Sequence, residues 1–396
     1  MLTQIINGRI LTPQGWLRDG SVIIRDSKIL EVTNCDLAII GADIIDAKGM
    51  YVVPGFVDIH VHGGGGRDFQ EGTPEAFNVA INAHMKYGTT SIFPTLSSST
   101  VPMIEKAVET CTELMKDPES PILGLHLEGH YLNPLKAGAQ RPEWIKNPDP
   151  NEYIPIVEGS PCLSRWDAAP ELPGALQFGK FCSEKGILPS IAHTAANYSD
   201  VKAAFDAGFT HVTHFYNAMP GFHNKREYKY EGTVESVYII DDMTVECVAD
   251  GVHVPPTILR MVYKVKGVER MALITDALAV AAADSKDVKA FDPRVVIEDG
   301  VCKLSDRSAL AGSIATTDRL VRTMVKQAEV PLEDAVRMAS ETPAHIMGVH
   351  DRKGSLTRGR DADILILDDK LDVRCVWQMG KLRLNTLFKP CCEDFF

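Results

Sequence analysis

The sequence predicts an α/β chain: a (β/α)8, TIM-like barrel joined to a small discontinuous β-sandwich that both chain ends build. Three observations predict it. Apolar, strand-like segments alternate with amphipathic helical ones across the middle of the chain. Short strands with turns occupy both ends. Histidine and carboxylate residues recur where the middle strands finish. The expected layout is residues 1–53 and 349–390 for the two parts of the sandwich, 54–348 for the barrel and 391–396 for a frayed tail.

At the N-terminal end, Ile5–Leu11, Ser21–Ile24 and Ile29–Val32 are apolar runs separated by turn residues such as Arg25-Asp26-Ser27-Lys28. At the far end Asp361–Asp368 and Val373–Trp377 read the same way. Neither group has enough strands for a stable sheet alone, so the two are expected to pair.

The barrel opens with Val52-Val53-Pro54-Gly55-Phe56-Val57-Asp58-Ile59-His60-Val61-His62, followed by Gly63-Gly64-Gly65-Gly66. Alternate residues of a strand share a face, so His60 and His62 point the same way and can converge on one metal ion. The glycines permit a tight turn and the close approach of a ligand. A solvated histidine pair in a turn is the alternative for this stretch read alone. Thr73-Pro74-Glu75 offers an N-cap and a first-position proline for a helix that Gly88 can close. Strand candidates then follow at Thr90–Leu96, Ile122–Glu128, Leu163–Asp167, Leu188–His193, His211–His214, Thr244–Asp250 and Met271–Asp276, which makes eight with the opening stretch. A doubly wound open sheet is the competing architecture, but its Gly-x-Gly-x-x-Gly signature after a first strand is missing. Residues 277–315 break the alternation and are expected to form an excursion whose strands return to the sandwich. Helices near 317–329 and 333–347 would close the barrel.

The C-terminal ends of barrel strands carry active sites. Here they hold His60 and His62, Glu128, His193, His214 and Asp276, four histidines and two carboxylates suited to a mono- or dinuclear metal site of a hydrolase. Any one of them alone is commonly structural. His126 shares the parity of Glu128 and reads as a core or supporting group, His211 as structural, and Asp58 as a residue that could orient a metal histidine.

The chain has 396 residues, with 41 basic and 53 acidic side chains and a formal charge of −12. That balance argues against a nucleic-acid binder. No run of about 18 apolar residues exists to span a membrane. The first residues have neither a basic region nor a long apolar stretch, so no secretory leader is expected. Nine scattered cysteines without Cys-x-x-Cys read as reduced thiols, and a cytoplasmic location is expected.

Pro54-Gly55-Phe56-Val57-Asp58-x-His60-x-His62 resembles the opening signature of the amidohydrolase superfamily, whose architecture is also a barrel flanked by a small β-sandwich. Several further stretches are similar to its N-acetylglucosamine-6-phosphate deacetylase family. They are Gly124–Gly129, Lys136–Gln140, His214–Pro220, Ala249–His253, Ile274–Ala277 and Leu310–Ser313. The resemblance covers nearly the whole chain. It implies that Glu128, His193 and His214 hold a main metal ion, that His60 and His62 hold a second, and that Asp276 is both ligand and catalytic acid–base. One or two divalent ions per chain, zinc or iron, are implied. Asn217, the Ala218 backbone, Arg226 and His253 would hold a phosphorylated amino sugar, with Ala139 and Gln140 contacting it and Leu310, Ala311 and Gly312 lining the pocket edge. A homodimer sharing a phosphate contact is also implied.

The implied reaction is hydrolysis of an acetamide: a divalent ion lowers the pKa of water to about 7, and Asp276 passes a proton to the departing amine. The fourth strand carries no lysine, so a carbamylated-lysine bridge is not expected and Glu128 could bridge instead. Three departures stand out. His130 replaces the family's usual proline, Gln140 replaces a histidine found in some members, and Arg226 lies one residue late, leaving Lys225 to compete for the phosphate.

Overall fold

The computed structural model describes residues 2–35, 39–283 and 292–387. Eight parallel strands form the central sheet: β1 (Phe56–Val61), β2 (Thr89–Leu96), β3 (Leu125–Tyr131), β4 (Leu163–Ala168), β5 (Leu188–Ile191), β6 (His211–Val212), β7 (Thr244–Val248) and β8 (Met271–Ile274). Each pairs with its sequence neighbour. Backbone bonds bring the last strand back to the first, with Asp276 N donating to His60 O at 2.9 Å and His62 N to Ala277 O at 2.8 Å. The sheet therefore closes as the alternation of apolar strands and helices predicts.

Local signals explain the wrapping helices. Thr73 Oγ1 accepts the Ala76 N–H ahead of Pro74–Met85, and Gly88, at φ +94°, ends that turn. The apolar faces of these helices and the outer faces of the strands make one continuous core, with Phe77, Trp166, Phe178 and Phe209 buried in it.

The chain ends meet in one eight-stranded sheet. Ile364–Leu367 pairs antiparallel with Tyr51–Pro54, which lies parallel beside Leu2–Thr12. This sheet keeps a separate core around Ile5, Ile24, Val52, Ile366 and Trp377. At Gly8, where the Leu2–Thr12 register shifts, a Cβ would stand 2.4 Å from the Val52 side chain.

Two expectations change. The strands of the 277–315 excursion, Val295–Glu298 and Val301–Leu304, form a two-stranded hairpin over the barrel mouth, with a further bridge from Lys303 to Leu310, and among the described residues they do not join the terminal sheet. The helix expected over 333–347 is two, Leu332–Met338 and Glu341–Ile346. Pro343 has no N–H to give the Ala339 carbonyl, so the first helix cannot run through it. The 391–396 tail, with Cys391 and Cys392, lies outside the described residues.

Candidate metal centre

His60 in β1 and His62, one residue past its end, turn inward on one face, as their spacing predicts. Their ring centroids are 5.1 Å apart and their Nε2 atoms 3.2 Å apart. The other candidates arrive just beyond or late in their strands. Glu128 lies inside β3, which starts three residues later than its sequence pattern suggested. His193, His214 and Asp276 follow β5, β6 and β8 with φ of +42°, +27° and +48°. Such left-handed backbone is costly for residues other than glycine and gathers at functional sites.

These side chains form two triads. Glu128 Oε1 lies 3.1 Å from His193 Nε2 and 3.0 Å from His214 Nε2, and those nitrogens are 3.1 Å apart. Asp276 Oδ1 lies 3.1 Å from His62 Nε2 and 3.6 Å from His60 Nε2. The second Glu128 oxygen is 3.4 Å from His62 Nε2, which puts this carboxylate between the two groups. Zinc–nitrogen bonds of about 2.0–2.1 Å in a tetrahedron set donor atoms roughly 3.3 Å apart, and a catalytic site takes three protein ligands. Both triads fit a divalent ion in donor type, number and spacing.

Electrostatics point the same way. Burial disfavours charge on His214, but Glu128 outweighs it and draws the ring up to about 9. Burial likewise opposes charge on His62, yet Asp276 and Glu128 hold it well above the ordinary histidine range. The carboxylates that raise both imidazoles make this a place that favours positive charge.

The triads lie at the floor of a cavity of about 390 Å³. His62, Glu128, His193 and Asp276 reach its wall; His60 and His214 are buried. Ala139, Gln140, Asn217, Ala218, His253, Leu310, Ala311 and Gly312 all line it. Gln140 donates to Glu128 Oε2 at 2.7 Å and accepts the Ser98 N–H, so its amide is engaged with the protein. Asp250 accepts from His253 Nδ1 at 2.8 Å and leaves the buried Nε2 without a partner among the described residues. Arg226 is not on this wall. It sits at φ +57° in the turn of an exposed hairpin, His223–Lys225 with Tyr228–Tyr230. Lys225 and His223 line a neighbouring hollow instead.

Other readings are also refined. Asp58 does not touch an imidazole; it accepts from the Thr275 hydroxyl at 2.5 Å and the His60 backbone N–H at 3.3 Å, and burial pushes its carboxyl up to about 7. The glycine patch serves packing, since a Cβ on Gly63 would stand 2.3 Å from Arg67 O and one on Gly64 2.7 Å from His84 Nε2. His211 is held by Thr244 and Glu246. His126 packs edge-on against His60 and stands 3.0 Å from Asp167, with burial and Arg165 holding it down to about 4. His130 is enclosed, with Nε2 2.8 Å from Glu152.

Sequence reasoning missed Arg141, Trp144 and Arg294 on the cavity wall and the buried Arg165–Glu246 pair below it. Arg294 donates to Ala139 O at 2.8 Å and pairs with Asp292.

A closed (β/α)8 barrel with two histidine–carboxylate triads at its C-terminal mouth defines the class of metal-dependent hydrolase barrels. The chain belongs to the amidohydrolase family, whose pattern residues 51–388 match. It is 30% identical to the N-acetylglucosamine-6-phosphate deacetylase of Haemophilus influenzae over 96% of this chain and 99% of that one. It is also 30% identical, with the same coverage, to the N-acetylgalactosamine-6-phosphate deacetylase of Escherichia coli O157:H7. Among solved structures, a variant of the Mycobacterium smegmatis N-acetyl-D-glucosamine-6-phosphate deacetylase in complex with N-acetyl-D-glucosamine-6-phosphate superposes with a TM-score of 0.89 at 29% identity, covering 97% of this chain and 100% of that one.

Proposed function

We infer that the protein hydrolyses the acetamide of N-acetyl-D-glucosamine 6-phosphate to D-glucosamine 6-phosphate and acetate. The observation that carries this reading is the Glu128 carboxylate set between two triads at the floor of a sugar-sized cavity, in a chain similar end to end to enzymes of that name. Glu128, His193 and His214 would hold one divalent ion and His60, His62 and Asp276 a second, zinc or iron, supplying a Lewis acid and water acidified to a pKa of about 7.

The chain's own residues do the rest. Asp276 accepts a proton from the attacking water as the carbon–oxygen bond forms. It returns that proton to the sugar nitrogen as the carbon–nitrogen bond breaks, because an unprotonated amine leaves poorly. Gln140 keeps Glu128 in place. His253, with Nδ1 fixed on Asp250, is assigned to the substrate through its Nε2. Asn217 and the Ala218 backbone are assigned to the phosphate end, and Leu310 to Gly312 to the rim of the sugar pocket.

The phosphate also calls for a cation. Arg226 stands on an exposed hairpin beside Phe222 and Tyr228, which are 63% and 62% exposed. We assign this face to a homodimer in which Arg226 serves the cavity of a second copy. Seven cysteines among the described residues are free thiols, which suits a cytoplasmic enzyme; no described helix is long and apolar enough to cross a membrane.

A second substrate, N-acetylgalactosamine 6-phosphate, is favoured by the 30% identity to an enzyme named for it. Acetate release from both sugars, each with and without the 6-phosphate, tests the reading. Highest kcat/KM on N-acetylglucosamine 6-phosphate is expected. Preference for the C4 epimer shifts the assignment to the second substrate, and no release from either phosphate overturns it.

A further inference from the structure

Directly beneath the paired imidazoles of β1 lies a buried layer of charge. Arg165 on β4 and Glu246 on β7 are both fully buried at the barrel axis. Arg165 grips Glu246 as a fork, with Nη1 donating to Oε2 at 2.5 Å and Nη2 to Oε1 at 2.9 Å. Its Nε donates to Asp167 Oδ1 and Ser190 Oγ at 3.1 Å each, and Nη2 also donates to Thr213 Oγ1 at 2.7 Å. Such bidentate pairs fix direction as well as charge.

The carboxylate so fixed has work beyond neutralising Arg165. Its Oε1 lies 2.7 Å from His60 Nδ1 and also accepts the His214 backbone N–H at 3.3 Å. The four histidines differ at their rear nitrogens. Among the described residues, His62 Nδ1 has only the Ser97 hydroxyl at 3.2 Å, and His193 Nδ1 has the Lys136 carbonyl at 2.7 Å. His214 Nδ1 is buried without a partner among the described residues. Among the described residues, His60 alone of these four is backed by a carboxylate. A proton donated from Nδ1 to Glu246 leaves the ring's lone pair on Nε2, the atom that faces His62 and Asp276.

We propose that Glu246, locked by Arg165, is a positioning residue that fixes His60 as an Nε2 donor and thereby sets occupancy of the metal position formed by His60, His62 and Asp276. The proposal rests on the reading that this triad holds an ion. A carboxylate behind a ligating histidine orients the ring and raises its basicity, and losing such a partner costs about 10- to 100-fold in metal affinity.

The test is zinc titration of the metal-stripped, full-length protein against a competing chelator, resolving two dissociation constants. Two variants are compared with the unaltered chain: Glu246→Gln, and Glu246→Gln combined with Arg165→Met, which leaves no unpaired guanidinium. Expected in both is a second-site affinity about 10- to 100-fold weaker, with the first site within about threefold. Unchanged affinity at both sites overturns the proposal. So does a parallel loss at both sites together with the unfolding midpoint, which marks a purely structural pair. Nitrogen-15 histidine spectra of the zinc-loaded unaltered protein give an independent measure: Nδ1 of His60 protonated and Nε2 coordinated is expected, and the reverse overturns it. Failure of the unaltered protein to take up a second equivalent is a separate result, visible without any variant, and sinks the two-ion reading along with it.

Discussion

The side-chain amide of Gln140 lies 2.7 Å from Glu128 Oε2, while its carbonyl accepts the Ser98 backbone N–H at 2.7 Å. Both ends of Gln140 are thus engaged, and the residue braces the carboxylate that stands between the two triads. Gln140→Ala frees Glu128 to rotate and leaves the Ser98 N–H unpaired. Metal affinity at the Glu128, His193 and His214 position should drop about 10- to 100-fold, the usual cost of losing a partner behind a ligand. Chelator competition measures it. A variant with unchanged metal affinity and a raised KM would instead make Gln140 a direct substrate contact.

Asp276 belongs to the triad with His60 and His62, and is also the carboxylate assigned to proton transfer. Asp276→Asn keeps an oxygen donor but cannot carry a proton. Turnover should fall by roughly 10²- to 10⁴-fold, the typical contribution of a positioned acid–base group. Elemental analysis should find the first ion retained and the second reduced. Wild-type turnover with full metal content would remove Asp276 from the chemistry.

The parts of this molecule that could be read in advance are those encoded by short-range periodicity. His60 and His62 are placed by strand parity alone, and Pro74–Met85 by its cap, its proline and its closing glycine. The Arg165–Glu246 pair was not legible. Arg165 and Asp167 alternate with Ser164 and Trp166 along β4, a pattern that in an isolated strand reads as one polar, solvated face. Only barrel closure turns that face inward and brings it to Glu246, three strands away in the sheet order. Arg294 was hidden for a related reason: it follows a segment with no regular period and meets Ala139 across 155 residues of chain.

Arg226 lies outside the cavity wall of its own chain, whereas Lys136, Arg141 and Arg294 lie on it. If Arg226 serves a second copy, Arg226→Ala should weaken binding of the 6-phosphate by about 1.5–3 kcal/mol, roughly 10- to 100-fold in KM. The unphosphorylated sugar should be almost unaffected. Steady-state kinetics on both sugars check this, alongside Lys225→Ala, which should change neither. Equal losses on the two sugars would leave the phosphate to the cations of the cavity wall.

Glu152 ties the end of β3 and the loop after it to the helix Pro150–Gly159. It accepts from His130 Nε2 at 2.8 Å, from Tyr131 Oη at 3.0 Å and from Lys146. The His130 bond is the largest influence; with Lys146 and Tyr131 it outweighs burial and holds the carboxyl at about 2, against an ordinary 4.5. A carboxylate depressed in the folded state adds stability that is full above the unfolded pKa and disappears as pH falls through the folded one. The contribution should therefore be constant above about pH 5 and decline between about 4.5 and 2. Glu152→Gln should cost on the order of 2 kcal/mol at neutral pH, less than the shift alone implies because the side chain is partly wet. Urea unfolding of both metal-free proteins across pH 2–7 measures the difference. It should shrink toward zero at the acid end; a gap that stays constant down to pH 2 would show that His130 and Glu152 meet by packing and not by charge.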